Sequence, residues 1–134
     1  MHVSKALVVD DEAHITHVVA LKLRNAGFEV FTASDGEEAY EIACAELPDI
    51  VITDLQMPYM TGLELCEQLK RNTATEKIPA ILLTARGHAL SSDDLSKTNI
   101  REVLGKPFSP REVLSKAAAM LGVNLDESTG GIAA

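Results

Sequence analysis

Short, unbroken apolar runs alternate with longer amphipathic stretches along the chain. Ala6-Leu7-Val8-Val9, Asp49-Ile50-Val51-Ile52-Thr53 and Pro79-Ala80-Ile81-Leu82-Leu83 lack polar alternation, the pattern of strands covered on both faces. Glu29-Val30-Phe31-Thr32-Ala33 and Arg101-Glu102-Val103-Leu104 carry charges at strand positions. That suits the edges of a sheet, where charge discourages further pairing. The pattern predicts five strands, three central and two at edges.

The stretches between them predict helices with legible ends. Ile15, Val18, Val19 and Leu23 follow helical spacing, and Gly27 supplies a stop. A second helix opens on Asp35 as N-cap with Glu38 three residues on. A third opens Thr61-Gly62-Leu63-Glu64, a capping box ahead of Leu65 and Leu69. The last begins Ser109-Pro110-Arg111-Glu112, joining a cap, a proline at the first helical position and a returning glutamate, and it ends near Leu121-Gly122. Residues 91 to 99 are polar with few apolar anchors and give the weakest of the five helical signals. Strict alternation of strand and helix implies a parallel sheet with right-handed crossovers and helices on both faces.

Length and charge narrow the possibilities. At 134 residues and 46% apolar content the chain fits one domain with a sizeable core, expected over residues 1 to 122, with residues 123 to 134 a short unstructured tail. No apolar run approaches the length of a membrane span, and the start has no signal-peptide order, so a cytoplasmic protein without membrane insertion is expected. The net charge of −8 argues against direct nucleic-acid binding, which needs clustered Lys and Arg. Cys44 and Cys66 have no metal-site spacing and read as reduced residues on helices.

In open parallel sheets, ligand sites lie at the carboxyl ends of strands beside a topological switch point. The residues at those ends are Asp10 and Asp11, Asp54, Thr84 and Lys106. Three crowded carboxylates require raised pKa values or a cation between them. All-oxygen ligation with room for waters and a phosphate oxygen favours Mg²⁺. A carboxylate beside Mg²⁺ and a lysine can attack phosphorus, since phosphoryl transfer depends on positioning and charge neutralisation. Asp54, alone on its strand, reads as the nucleophile and the only phosphorylation site, and the Asp10-Asp11 pair as metal ligands.

The segments Val8-Val9-Asp10-Asp11-Glu12, Asp54-Leu55-Gln56-Met57-Pro58 with Met60-Thr61-Gly62, Leu83-Thr84-Ala85 and Lys106-Pro107-Phe108 together resemble the receiver domain of two-component response regulators over residues 5 to 122. The resemblance implies a flavodoxin-like doubly wound (βα)5 fold, its five parallel strands in the order 2-1-3-4-5. It implies that Asp54 accepts phosphate from a histidine kinase or phosphotransfer protein, and that Asp11, Asp54 and the Gln56 backbone carbonyl bind Mg²⁺, with Asp10 supporting the ion through water. Thr84 and Lys106 would bind phosphoryl oxygens, and a downstream protein partner would read the switch. It also implies a cis Lys106-Pro107 bond. Such a domain is no enzyme toward a separate substrate and catalyses only its own Mg²⁺-dependent phosphotransfer and dephosphorylation. Two positions depart from the family pattern: Val103 stands where an aromatic residue usually lies, and Thr98-Asn99-Ile100 replaces the usual Gly-Ala turn.

Rival readings fit less well. An aspartyl-phosphate hydrolase would want a second acid two residues past Asp54, where Gln56 stands. A nucleotide-binding module would want a Gly-rich loop after the first strand. A degenerate receiver would have lost one of the five site residues. His14 and His17 lie three apart on the first helix without a carboxylate or cysteine at matching spacing to complete a metal site, and His2 and His88 have no evident role.

Overall fold

The computed structural model describes residues 3–85, 90–106 and 108–123. Five strands, β1 (Lys5–Val9), β2 (Glu29–Ala33), β3 (Ile50–Asp54), β4 (Ala80–Thr84) and β5 (Ile100–Gly105), alternate with helices α1 (Ala13–Asn25), α2 (Gly36–Glu46), α3 (Gly62–Arg71), α4 (Ser92–Ser96) and α5 (Pro110–Leu121). All strand pairs are parallel, and the order is β2-β1-β3-β4-β5. The connection out of β1 goes to one side and the return to β3 to the other. The switch point therefore lies between β1 and β3, where Asp10 and Asp54 end up side by side.

Each central strand divides its side chains between two apolar layers. Ala6, Val8, Ile50, Ile52, Ile81 and Leu83 face α1 and α5, packing with Val19, Leu23, Val113 and Ala117. Leu7, Val9, Val51 and Ala80 face the other way, against Ala39 and Ala43 of α2 and Leu65, Cys66 and Leu69 of α3. β3 and β4 are buried throughout, whereas β2 and β5 carry exposed residues as edge strands do.

The helix ends follow the capping chemistry. Asp35 accepts from the Glu38 amide, Thr61 and Glu64 exchange both bonds of a capping box, and Ser109 accepts from the Glu112 amide. α1 differs, for it starts at Ala13, two residues before the apolar spacing begins, and Glu12 at its N-cap makes no side-chain cap bond. Instead Asp10 Oδ1 accepts from the Glu12 amide at 2.9 Å, so the site carboxylate itself ties down the helix start. α4 is a five-residue helix with no buried residue, held by a Ser91–Asp94 capping box. The polar stretch hid that box.

One irregularity lay outside the reach of the sequence pattern. Ala80 pairs with Ile100, but Ile81 pairs with Glu102, leaving Arg101 as an extra residue in β5. A bulge reverses which face the following side chains take. Ile100 thereby packs into the α2–α3 layer and Leu104 into the α1–α5 layer, although their spacing in a regular strand would put both on one face. The expected cis bond at Pro107, the tail from residue 124, and His2 and His88 lie outside the described residues.

Candidate functional site

Asp10, Asp11 and Asp54 converge at the carboxyl edge of the sheet, each offering an oxygen within 4.8 Å of the others. Asp10 and Asp54 are buried, at 1% and 5% exposure, while Asp11 is exposed. Lys106 enters the cluster just past the end of β5. Its Nζ lies 3.0 Å from Asp54 Oδ1 and 3.9 Å from both Asp10 Oδ2 and Glu12 Oε1. Three carboxylates thus share this ammonium, and Asp11 adds a fourth acid to the cluster.

The electrostatics follow from that imbalance. Burial, with the negative charge of Asp54 adding to it, pushes the Asp10 carboxyl from 3.8 up to about 6, although the Glu12 amide and Lys106 oppose the shift. Burial likewise holds the Asp54 carboxyl above its ordinary value, against the hydrogen bond and charge of Lys106. Burial alone would pull the Lys106 ammonium down, but the hydrogen bond from it to Asp54 and the charges of Asp54, Asp10 and Glu12 outweigh this and raise it. Among the described residues, Asp10 Oδ2 is buried without a hydrogen-bond partner. A buried carboxylate oxygen that accepts no hydrogen bond, beside two further carboxylates, fits a small hard cation.

Backbone contacts set the spacing of these groups. The Leu55 amide donates to Leu83 O at 2.8 Å, and the Lys106 amide donates to Thr84 O at 2.7 Å. The ends of β3, β4 and β5 are thereby stitched together beyond the regular ladder. Thr84 is buried, and among the described residues its hydroxyl makes only a long 3.5 Å bond to Ala85 O, with no hydrogen bond to the carboxylates. It stands at the site with its donor capacity little used. Gln56 is exposed on the loop two residues past Asp54. That loop is held from below, because the Gly62 amide donates to Leu55 O at 2.9 Å and the Met57 side chain is buried. Met60 is fitted against Gly36 at the start of α2, where a Cβ would stand 2.6 Å from its sulfur.

The structure brings together the predicted Asp10, Asp11, Asp54 and Lys106, with Thr84 at the same edge of the sheet. Glu12 is a partner of Lys106 that the sequence did not single out, although the acidic run Asp10-Asp11-Glu12 carries the signal. Nor did it find the roles of Gly36 and Gly62 as sites of close approach, which nothing in local spacing reveals.

The sequence profile described as response regulator receiver domain matches residues 6–118. Among curated proteins, the alkaline phosphatase synthesis transcriptional regulatory protein PhoP of Bacillus subtilis is 38% identical over 117 residues, 87% of this chain and 48% of that protein. The phosphate regulon transcriptional regulatory protein PhoB of Rhizobium meliloti is 39% identical over 118 residues, 87% of this chain and 52% of that one. The chain spans about half the length of the curated relatives it matches. Among solved structures, the chemotaxis response regulator CheY4 of Vibrio cholerae superposes with a TM-score of 0.79 at 32% identity, covering 90% of this chain and 99% of that one. A response regulator receiver domain protein from Clostridium thermocellum gives a TM-score of 0.80 at 29% identity, covering 90% and 95%.

Proposed function

The chain belongs to the response regulator receiver domain family of two-component signalling, and on that premise we propose that Asp54 takes a phosphoryl group from the phosphohistidine of a kinase or phosphotransfer protein and thereby changes the binding of a downstream protein. The observation that carries this assignment is the 3.0 Å pair between Lys106 Nζ and Asp54 Oδ1 inside the cluster of Asp10 and Asp11.

In the transfer, an Asp54 carboxylate oxygen forms a bond to phosphorus as the phosphorus–nitrogen bond of the donor breaks, and the electron pair leaves with the imidazole nitrogen. Little covalent chemistry falls to the protein, so positioning and charge neutralisation do the catalysis. Asp54 is held at the end of β3 by the stitched strand ends. Lys106 opposes the upward push that burial gives the Asp54 carboxyl and offers a positive charge to the phosphoryl oxygens as they arrive. Asp10, Asp11, Asp54 and the Gln56 carbonyl are the groups that would hold Mg²⁺. When bound, the ion neutralises charge on the carboxylates and on the phosphoryl oxygens. Thr84, whose hydroxyl is nearly unused, supplies a further donor.

Phosphorylation adds roughly −1.5 to −2 charges at Asp54. Lys106 and Thr84 answer that charge, and they are joined through the Lys106 amide and Thr84 carbonyl. Their shift reaches β5 and the segment following β4, which leads to the short, unburied α4. Val103, 37% exposed on β5, is branched at Cβ and has few rotamers. We therefore assign the readout to backbone shifts around residues 86 to 99 and to the neighbouring β5 and α5 surface, with weaker coupling than a swinging ring would give. Residues 86 to 89 of that stretch lie outside the described ones. A cytoplasmic location, where kinases meet ATP, belongs to the same reading.

The deciding experiment is phosphate incorporation with Mg²⁺ and acetyl phosphate or a donor kinase. Wild type takes up acid-labile phosphate and Asp54→Ala takes up none. Full labelling of Asp54→Ala would move the acceptor elsewhere.

A further inference from the structure

Tyr59 lies five residues past the acceptor, on the loop between β3 and α3, and its side chain is fully exposed. Its φ is +70°, one of two positive values among the described non-glycine residues. The Met60 amide donates to Pro58 O at 2.8 Å, closing a three-residue turn with Tyr59 at its tip. An aromatic residue in this region of backbone space is a real outlier, and strain of this kind is retained where the surroundings impose it.

Those surroundings are tightly fixed on both sides of the turn. Met57 is buried before it, Met60 packs against Gly36 after it, and the Gly62 amide closes back onto Leu55 O. The turn cannot relax without unseating one of these contacts, so the ring is held away from the molecule's own surface. An exposed tyrosine on a braced loop loses little conformational freedom when a partner covers it, and rigid aromatic side chains of this kind are the usual anchors of protein interfaces.

We propose that Tyr59 is the docking anchor for the protein that delivers the phosphoryl group to Asp54, a specificity-determining residue on the rim of the acceptor site. The inference rests on the phosphoacceptor reading above. Asp54 is only 5% exposed, so a donor histidine must be carried over the strand ends and its protein must seat on the loops around them. Tyr59 and the exposed Pro58 lie on one of these loops, Asp11 and Glu12 on another. The fitting partner surface carries its phosphohistidine beside an apolar notch for the phenol ring. A small phosphodonor enters the recess without touching this rim.

The test compares two donors on wild type, Tyr59→Ala, Tyr59→Gly and Tyr59→Phe. The probes are acetyl phosphate with Mg²⁺ and an autophosphorylated histidine kinase fragment that transfers to the wild-type chain. With acetyl phosphate, all four proteins label at rates within about twofold. With the kinase, kcat/KM falls about tenfold or more for Tyr59→Ala and Tyr59→Gly, equivalent to about 1.4 kcal/mol, through a rise in KM, while Tyr59→Phe stays close to wild type. Kinase transfer to Tyr59→Ala and Tyr59→Gly within twofold of wild type overturns the inference, as does an equal loss with both donors, which would place the ring's effect in the site itself. If wild type takes label from neither donor, the phosphoacceptor reading fails as well.

Discussion

Gly62 lies directly against the backbone carbonyl of Asp54, so close that a Cβ on Gly62 would overlap the Asp54 oxygen. Gly62 also donates its amide to Leu55 O at 2.9 Å. The first turn of α3 is therefore laid onto the end of the acceptor strand. Gly62→Ala is expected to lower the unfolding free energy by about 2 kcal/mol, because the atoms in conflict are backbone and cannot rotate aside. Urea unfolding checks this, and an unchanged midpoint would mean that the two segments are farther apart.

Asp10 makes the metal-free protein less stable as pH rises. Its carboxyl titrates at about 6 in the fold against 3.8 ordinarily, so between those values the folded state holds more protons than the unfolded chain. Unfolding free energy therefore falls with pH through this window. The penalty is absent below about 3.8 and complete above about 6, on the order of 3 kcal/mol. Asp10→Asn in the presence of a chelator is expected to be more stable than wild type at pH 7 and to gain little at pH 4. An equal gain at both pH values would trace the effect to something other than ionisation.

Mg²⁺ is expected to bind weakly, since few protein groups contribute and the ion keeps several waters. It is expected to stabilise the protein most at neutral pH, where the acids most need a counter-charge. Asp11→Ala removes an exposed member of the cluster and is expected to weaken binding about tenfold or more, with little effect on the stability of the metal-free protein. Isothermal titration with the same affinity in Asp11→Ala would move the ion elsewhere.

Leu47 ends α2 with φ at +49° while half exposed. A leucine pays a steric penalty there that glycine does not, partly offset by the greater freedom of glycine in the unfolded chain. Leu47→Gly is expected to stabilise the protein by about 0.5–1 kcal/mol. A fall in melting temperature would show that the exposed leucine makes a contact worth more than its backbone conformation costs.

Much of the fold was readable because its signals are local. A strand covered on both faces must be apolar throughout, a helix end must satisfy its free amides, and both needs write themselves into neighbouring residues. The five strands, read from Ala6, Glu29, Asp49, Pro79 and Arg101 and found within one residue of those starts, the caps at Asp35, Thr61 and Ser109, and the line of Asp10, Asp11, Asp54, Thr84 and Lys106 at strand ends follow from such rules.

Tertiary structure decided what depends on residues distant in the chain. The extra residue Arg101 in β5 exists because Ile100 and Leu104 are drawn to opposite apolar layers, a demand made by the helices and not by the strand. The close approach of Gly62 to Asp54, the seat of Met60 on Gly36 and the outward posture of Tyr59 depend on how the β3–α3 loop is clamped between α2 and the sheet. The strength of the site's electrostatics has the same origin. Sequence named the carboxylates, but burying Asp10 and Asp54, against the opposing charge of Lys106, is what raises them above the ordinary carboxylate range, because desolvation is set by the whole fold.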